Sequence, residues 1–329
     1  MTRATSEAAA ECLSPYVADM TVRLATYNLL HGMPVLGGVP GPERDAAGRV
    51  VGPPVVQDYA PLRRAVAALD ADVIGLQEVD VDQPRSGRVH QVRTVAEALG
   101  APHWHFAASV VGTPGERVWD PADESHDHSS HPHLRWVPGH GRSVRAGETA
   151  DIGPESDEPT GPLYGVGLVS RLPVLEWRTT RFEAAPWTLP LLVPAQPRPR
   201  LVRVPDEPRA AVAAVVEGRH SPFTVVTAHL SFVPGYNIRQ LRALRRWLVD
   251  LPRPLVLLGD FNLPGTVPAR VTGWTPLVRQ RTYPSMGPRV QLDHVLADGF
   301  TAHQLATAVP EVHLLPVSDH AAVTVDVDL

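Results

Sequence analysis

Short apolar runs alternate along this chain with stretches of helical periodicity. TVRLATYN, Thr21 to Asn28, is rich in β-branched and aromatic residues and stops at LLHGMP, which predicts a strand and a turn. PLRRAVAALD places Leu62, Val66 and Leu69 on one helical face, with Pro61 suited to the first turn. DVIGLQEVD then reads as a second buried strand ending at Glu78. QVRTVAEALG reads as a helix with Val92, Val95, Ala96 and Leu99 on one stripe and Gly100 as its stop. PLYGVGLVSRLPVLEW predicts two strands about the SRLP turn, and RAAVAAVVEG with SPFTVVTAHL predicts a hairpin-like pair. NIRQLRALRRWLVD predicts an amphipathic helix capped by Asn237, with Ile238, Leu241, Leu244 and Leu248 inward and arginines outward. LVLLGDFNLPG begins as a strand buried on both faces and ends, unexpectedly for such a run, in Gly-Asp-Phe-Asn. VQLDHVLAD and AAVTVDVDL complete the set. Strands interrupted by only a few helices favour an α/β architecture of two packed sheets with helices outside over one doubly wound parallel sheet.

Three stretches break the pattern. Residues 1–20 read as a tail, with Met20 an alternative start. Residues 112–161, including ESHDHSSHPH, read as a mobile insertion, and the proline-dense residues 186–208 as a surface crossing without regular structure. The expected organisation is this tail followed by a single domain over 21–329. Composition narrows the function. A formal charge of -5 argues against recruitment of polyanions over the whole surface, so a nucleic-acid substrate must be argued from a site. The single cysteine, Cys12, excludes an intramolecular disulfide and a thiolate zinc cluster. No signal peptide and no apolar run of membrane-spanning length is apparent, so a cytoplasmic protein is expected, and a monomer.

Polar groups recur where apolar strands end: Asn28, Glu78, His229, Asp260 with Asn262, and Asp293 with His294, while Ser318, Asp319 and His320 open the last strand. Any one of these alone is ordinary turn or capping chemistry. Together, on strands lying side by side, they converge on one rim. Carboxylates and amides without thiolates suit a hard cation such as Mg²⁺ or Mn²⁺, and imidazoles paired with carboxylates suit proton transfer near neutral pH.

These motifs, in this order, resemble the endonuclease/exonuclease/phosphatase superfamily of metal-dependent phosphoesterases. The matching stretches are RLATYNLLHG, DVIGLQEVD, GVGLVSRLPV, PRAAVAAV, TVVTAHLSF, RQLRAL, LVLLGDFNLP, TYPSMGP, QLDHVLA and VSDHAAV. The resemblance implies a four-layer α/β sandwich, two mixed sheets face to face with helices on the outer sides, and a site on the rim. It implies Glu78 as principal ligand of Mg²⁺ or Mn²⁺, with Asn28 on metal or phosphate and Asp319 on the metal directly or through water. By the same resemblance Asp260 activates or positions water, and Asn262 donates to the transition state. His229 lies on the phosphate or leaving-group side, and His320, oriented by Asp293, is base or electrophile. The choice of base between Asp260 and His320 stays open.

Weaker signals remain. Arg209 matches a position often basic in the family and is a candidate for substrate phosphate, against an exposed arginine at a strand start. His31 reads as turn or supporting residue, Arg239 and Gln240 as a solvated helix face, and His126, His128, His131 and His133 as an adventitious metal tract. The substrate is a phosphoester, either nucleic acid or a small or lipid-linked one. The sequence shows no obvious aromatic-basic stripe, and APWTLPLLVP, with Trp187, is the best apolar wall. The rival from another class is a catalytically silent member acting as a binding module; retention of the whole residue set argues against it.

Overall fold

In the computed structural model, described for residues 21–35, 43–44, 50–52, 55–56, 58–114, 119–130, 161–193 and 200–329, the strands and helices stack in four layers. In chain order the main elements are β1 (Thr21–Asn28), α1 (Ala60–Leu69), β2 (Val73–Val81), α2 (Gln91–Leu99), β3 (His103–Gly112), β4 (Leu163–Ser170) and β5 (Val174–Phe182). They continue as β6 (Arg209–Val216), β7 (Phe223–His229), α3 (Tyr236–Trp247), β8 (Leu255–Asp260), β9 (Asp293–Asp298), β10 (Val309–His313) and β11 (Ala322–Asp328). One sheet runs β10-β11-β1-β2-β4-β3 and extends to a short strand, Trp119–Pro121. The other runs from Thr275–Pro276 through β9-β8-β7-β6-β5. Both are mixed, with β1 parallel to β2 and β7 parallel to β8 amid antiparallel neighbours. The SRLP turn joins β4 to β5, which lie in different sheets, so it is a crossing between layers.

Period-two alternation sorts the apolar side chains into three layers. Val22, Leu24 and Val73 meet Val212, Val225, Val256 and Leu258 between the sheets. Ala25, Tyr27, Ile74 and Leu76 point the other way, onto Leu62, Val66, Val92 and Val95 of α1 and α2. Val226, Leu255 and Leu257 pack on Leu241 and Leu244 of α3. The sheets come so close at Gly75 that a Cβ there would lie 2.2 Å from Leu258 Cδ1 and 2.6 Å from Thr227 Oγ1. Two residues on, Gln77 Nε2 donates to Thr227 Oγ1 across the gap at 2.8 Å and to Thr26 Oγ1 at 3.1 Å. This buried bridge lies one side-chain layer below the ends of β1 and β7.

Several sequence expectations are corrected. Part of the 112–161 insertion is ordered: Trp119–Pro121 and His128–Ser129 pair with β3, and Asp127 Oδ1 accepts from Ala108 N at 3.1 Å. Pieces this short at a sheet edge carry no readable periodicity. The 186–208 crossing is not irregular throughout, because Thr188–Val193 and Arg200–Pro205 form an antiparallel ribbon. It is a separate two-stranded sheet that joins neither large one. Asn237 is not the cap of α3. The helix starts at Tyr236 with Gly235 before it, and Asn237 Nδ2 instead donates to Asn262 O at 2.9 Å. The tail 1–20 with Cys12 and Met20, residues 131–160 with His131 and His133, and residues 194–199 lie outside the described residues. Among the described residues no helix is long and apolar enough to cross a membrane.

Because Gly75 sits where the two sheets touch, Gly75→Ala is expected to lower unfolding free energy by about 1–3 kcal/mol through overpacking. Gly287→Ala, where a Cβ meets nothing within 4 Å, is expected to stay within about 0.5 kcal/mol of wild type. Urea denaturation measures both, and equal stabilities would contradict the close approach.

Candidate active site

The register of the second sheet sets the first row of the site. His229 is the direct partner of Asp260, and Asp260 of Asp293, so three adjacent strands present three polar side chains in line. Their alternation continues that of Val225, Val256, Leu258 and Val295, which face the other sheet. Asn28 ends β1 on the facing sheet. Glu78, expected at a strand end, is instead inside β2, which continues to Val81. It sits at a bulge, with φ 52° and a register shift between Leu76 and Val79. Since Gln77 already faces the gap, regular pleating would send Glu78 outward; the extra residue returns it to the rim.

Short hydrogen bonds join the two rows. Asn28 Nδ2 lies 3.0 Å from Glu78 Oε1 and 3.1 Å from Asp260 Oδ2, while Asn28 Oδ1 accepts from Leu30 N. His320 Nδ1 lies 2.9 Å from Asp293 Oδ2, and its Nε2 is 3.7 Å from Asp260 Oδ2. His229 Nε2 lies 3.7 Å from Asp260 Oδ2 and 4.0 Å from Glu78 Oε1. The Asp260–Asn262 pair is not on extended backbone. Asn262 has φ 49°, its N–H donates to Asp260 Oδ1 at 2.9 Å, and its Nδ2 reaches Leu230 O at 3.0 Å and His229 Nε2 at 3.3 Å. Leu30, His31, Glu78, Asn262 and Ser318 all have positive φ. Non-glycine residues in that region cost about 1–3 kcal/mol each and gather where the surrounding structure over-determines them.

Burial and crowding set the charge states. Burial, with Asp293 and Glu78 adding repulsion, pushes Asp260 up to about 7 against the opposing pull of His320. Burial also opposes charge on His320, but Asp293 and Asp260 outweigh it and hold the imidazole up to about 10, so the ring is a cation at neutral pH. His229 goes the other way: burial, then Arg209, then His320 push it well below its ordinary value, and the ring is neutral. Arg209 Nη1 approaches His229 Nδ1 at 3.0 Å. The same Arg209 nitrogen lies 3.3 Å from His229 Nε2, so the guanidinium covers the edge of the ring between its two nitrogens. Asp319 is pushed up by burial first and by Glu78, against His320.

The donor set fits a hard divalent cation. Its members are carboxylates, an amide and imidazoles, with no thiolate, and the buried atoms Asp319 Oδ1 and Asp293 Oδ1 have no hydrogen-bond partner. Among the described residues, ligand atoms of Glu78, His229 and Asp260 lie within 4.8 Å of one another, as do those of Asp260, Asp293 and His320. Asp319 falls in neither group. Arg209 is not the exposed arginine of the bland alternative: it is buried, with Asp206 at 3.8 Å and Glu207 at 3.9 Å. His294 is turned away, stacked on Phe261 and bonded to Leu263 O at 2.7 Å. His31 is a turn residue whose carbonyl accepts from Gln91 Nε2 at 2.7 Å. Of the histidine tract, His128 Nδ1 pairs with His90 Nε2 at 3.2 Å beside β3, apart from this rim.

Supporting residues were not apparent from sequence. Thr282 Oγ1 receives Asp293 N at 3.2 Å, Tyr283 packs 4.8 Å from the His320 ring, and Ser285 Oγ bonds Ser318 O at 2.9 Å. All three belong to the TYPSMGP stretch or adjoin it, which was the available signal. Gln77, Gln91 and Asn237 gave none, because their partners are distant in the chain.

Comparison with known proteins bears on the family and the fold. The model of the Endonuclease/Exonuclease/phosphatase family matches residues 25–320. An endonuclease/exonuclease/phosphatase from Beutenbergia cavernae superposes with a TM-score of 0.51 at 18% identity, over 94% of this chain and 71% of that one. A family protein from Bacteroides thetaiotaomicron gives 0.50 at 14% identity, over 94% and 98% of the two chains. A mannosyl-6-phosphatase from the same organism gives 0.47 at 12%, over 94% and 100%. No curated protein matches the sequence. At these identities the structural likeness is one of fold. The sequence match, which begins inside β1 and ends at His320, shows that the chain belongs to the Endonuclease/Exonuclease/phosphatase family.

Proposed function

We propose that this chain is a divalent-metal-dependent hydrolase of phosphoester bonds that acts by in-line attack of water. The observation that carries the reading is the row His229–Asp260–Asp293 on one sheet, closed by His320 and met across the gap by Asn28 and Glu78. A phosphoester is an anion that repels an incoming nucleophile, so cover on its non-bridging oxygens is the first requirement. The protonated His320, from the loop that enters β11 of the first sheet, and the His229 imidazole and Asn262 amide, from the second sheet, supply that cover. Glu78 and Asp319, with Asn28 beside them, would hold Mg²⁺ or Mn²⁺. The cation when bound supplies Lewis-acid polarisation of the phosphoryl oxygens.

The proton goes to a group able to take it. His320 keeps its own proton through neutral pH under the hold of Asp293, which makes it the donor and electrophile. Asp260, raised to about 7, is matched to accept the proton of an attacking water. Asn262 N–H on the other oxygen of Asp260 fixes the carboxylate's orientation. Arg209 holds His229 neutral and in place and is itself a candidate for substrate phosphate.

Two outcomes test this reading with bis-p-nitrophenyl phosphate as substrate. His320→Ala and Glu78→Gln are each expected to lower kcat at least ~10²-fold while circular dichroism and thermal melting stay unchanged. Near-normal turnover by either folded variant would contradict the roles given. Thorough chelation with EDTA is expected to abolish hydrolysis and added Mn²⁺ or Mg²⁺ to restore it; turnover that survives chelation would exclude metal dependence.

A further inference from the structure

The rim does not stop at the catalytic cluster. Along the second sheet it passes from Asp293, Asp260 and His229 to Arg209 at the start of β6 and Phe182 at the end of β5. From β7 to β5 is two strand spacings, roughly 10 Å. The segment that follows β5 is tied to the segment that follows β7 by a buried network: Asp206 Oδ2 accepts from Ala185 N at 2.7 Å and Ser231 Oγ at 2.8 Å. Gln240 closes the network, accepting from Ser231 N at 2.8 Å and donating to Glu183 O at 3.3 Å. What this frame presents is aromatic. Trp187, 54% exposed, meets Tyr236 edge to face at 5.9 Å, and the Arg239 guanidinium lies over the Tyr236 ring at 5.4 Å.

Helix α3 leaves the rim from this point, and its composition is unlike that of the chain as a whole. YNIRQLRALRRW carries four arginines and no acidic residue, in a protein of formal charge -5. Tyr236, Arg239, Arg242 and Arg246 fall on one helical face, about 15 Å from end to end. All three of these arginines are exposed, and none makes an ion pair with a described residue.

We propose that Trp187, Tyr236 and the Arg239–Arg242–Arg246 stripe form a subsite for an unpaired nucleic-acid strand entering the catalytic rim. The inference rests on the phosphoesterase reading above and names its substrate class. An exposed indole stacks any base, and a row of exposed guanidiniums without ion pairs among the described residues tracks a phosphate backbone; the combination is that of sequence-tolerant single-strand binding. A sugar would call for free hydroxyl-binding groups beside the indole, but Ser231 and Gln240 are committed to the frame, and Asp206, held there through Oδ2, keeps its Oδ1 buried. The sequence hid the platform because Trp187 and Tyr236 are 49 residues apart and meet only in the fold.

The test reads binding apart from turnover, with fluorescein-labelled 12-mer DNA and RNA single strands titrated in EDTA by anisotropy. Wild type is expected to bind a single strand at least tenfold more tightly than a duplex of the same length. Trp187→Ala is expected to weaken binding about tenfold, with Trp187→Phe recovering most of it. The triple change Arg239→Ala, Arg242→Ala, Arg246→Ala is expected to reduce the slope of log affinity against log salt by about two. Thermal melts confirm that each variant is folded. Tighter association with phosphatidylcholine–phosphatidylserine vesicles than with either strand would overturn the proposal, as would variants within twofold of wild type. Hydrolysis of bis-p-nitrophenyl phosphate without single-strand binding would sink the subsite alone. Strand binding without any hydrolysis would leave it standing and sink the catalytic reading.

Discussion

The distance between the two sheets is the constraint on which the site depends. Each sheet carries half of the polar set, and neither half is sufficient chemistry alone. Gly75 removes the side chain that would hold the sheets apart, and Gln77 spans the resulting gap to Thr227 and Thr26. A satisfied polar bridge in a low-dielectric interior fixes one relative placement, since sliding either sheet would leave buried amide and hydroxyl groups unpaired. One layer above, that placement brings the Asn28 amide within hydrogen-bonding reach of both Glu78 on its own sheet and Asp260 on the other. Gly259 acts in the same direction on the second sheet: with φ +141° and a would-be Cβ 2.1 Å from Ala228 O, it lets β7 and β8 close just before Asp260.

Bringing Glu78, Asp260, Asp293 and Asp319 together in a buried place is electrostatically unfavourable, and the structure carries the signs of it. Asp260 and Asp319 are pushed up by burial and by like charge, and two carboxylate oxygens have no partner. His320 is the internal cation that offsets part of this, and its hydrogen bond to Asp293 leaves its Nε2 facing the gap. Backbone strain accompanies the charge. The positive-φ residues Glu78, Asn262 and Ser318 each turn a functional group, or the residue beside one, toward the rim. Rigid, fully buried strands such as β8 are the mounts that tolerate such distortion.

Much of this was legible in the sequence, for a physical reason. Strand ends are short-range features: a buried run such as LVLLG followed by a carboxylate contradicts its own pattern, and the contradiction is local. The recurrence of that contradiction at Asn28, His229, Asp260 and Asp293 pointed to the rim, and register pairing puts three of these in one row. What escaped was everything that depends on a partner far along the chain. The bulge at Glu78 is set by pairing with β4, and Asn237 looks like a helix cap until Asn262 is seen beside it. The ribbon of 188–205 joins neither large sheet, and the aromatic-basic face joins residues from two segments.

The proposed function places one cation-dependent phosphate site at this rim, where the two sheets meet. Anomalous diffraction from crystals grown with Mn²⁺ tests it most directly. A strong peak is expected at the rim, bonded to a Glu78 carboxylate oxygen at about 2.0–2.2 Å and bounded on its other side by Asp319. An empty rim, with manganese held instead at the His90–His128 pair or nowhere on the protein, would contradict it.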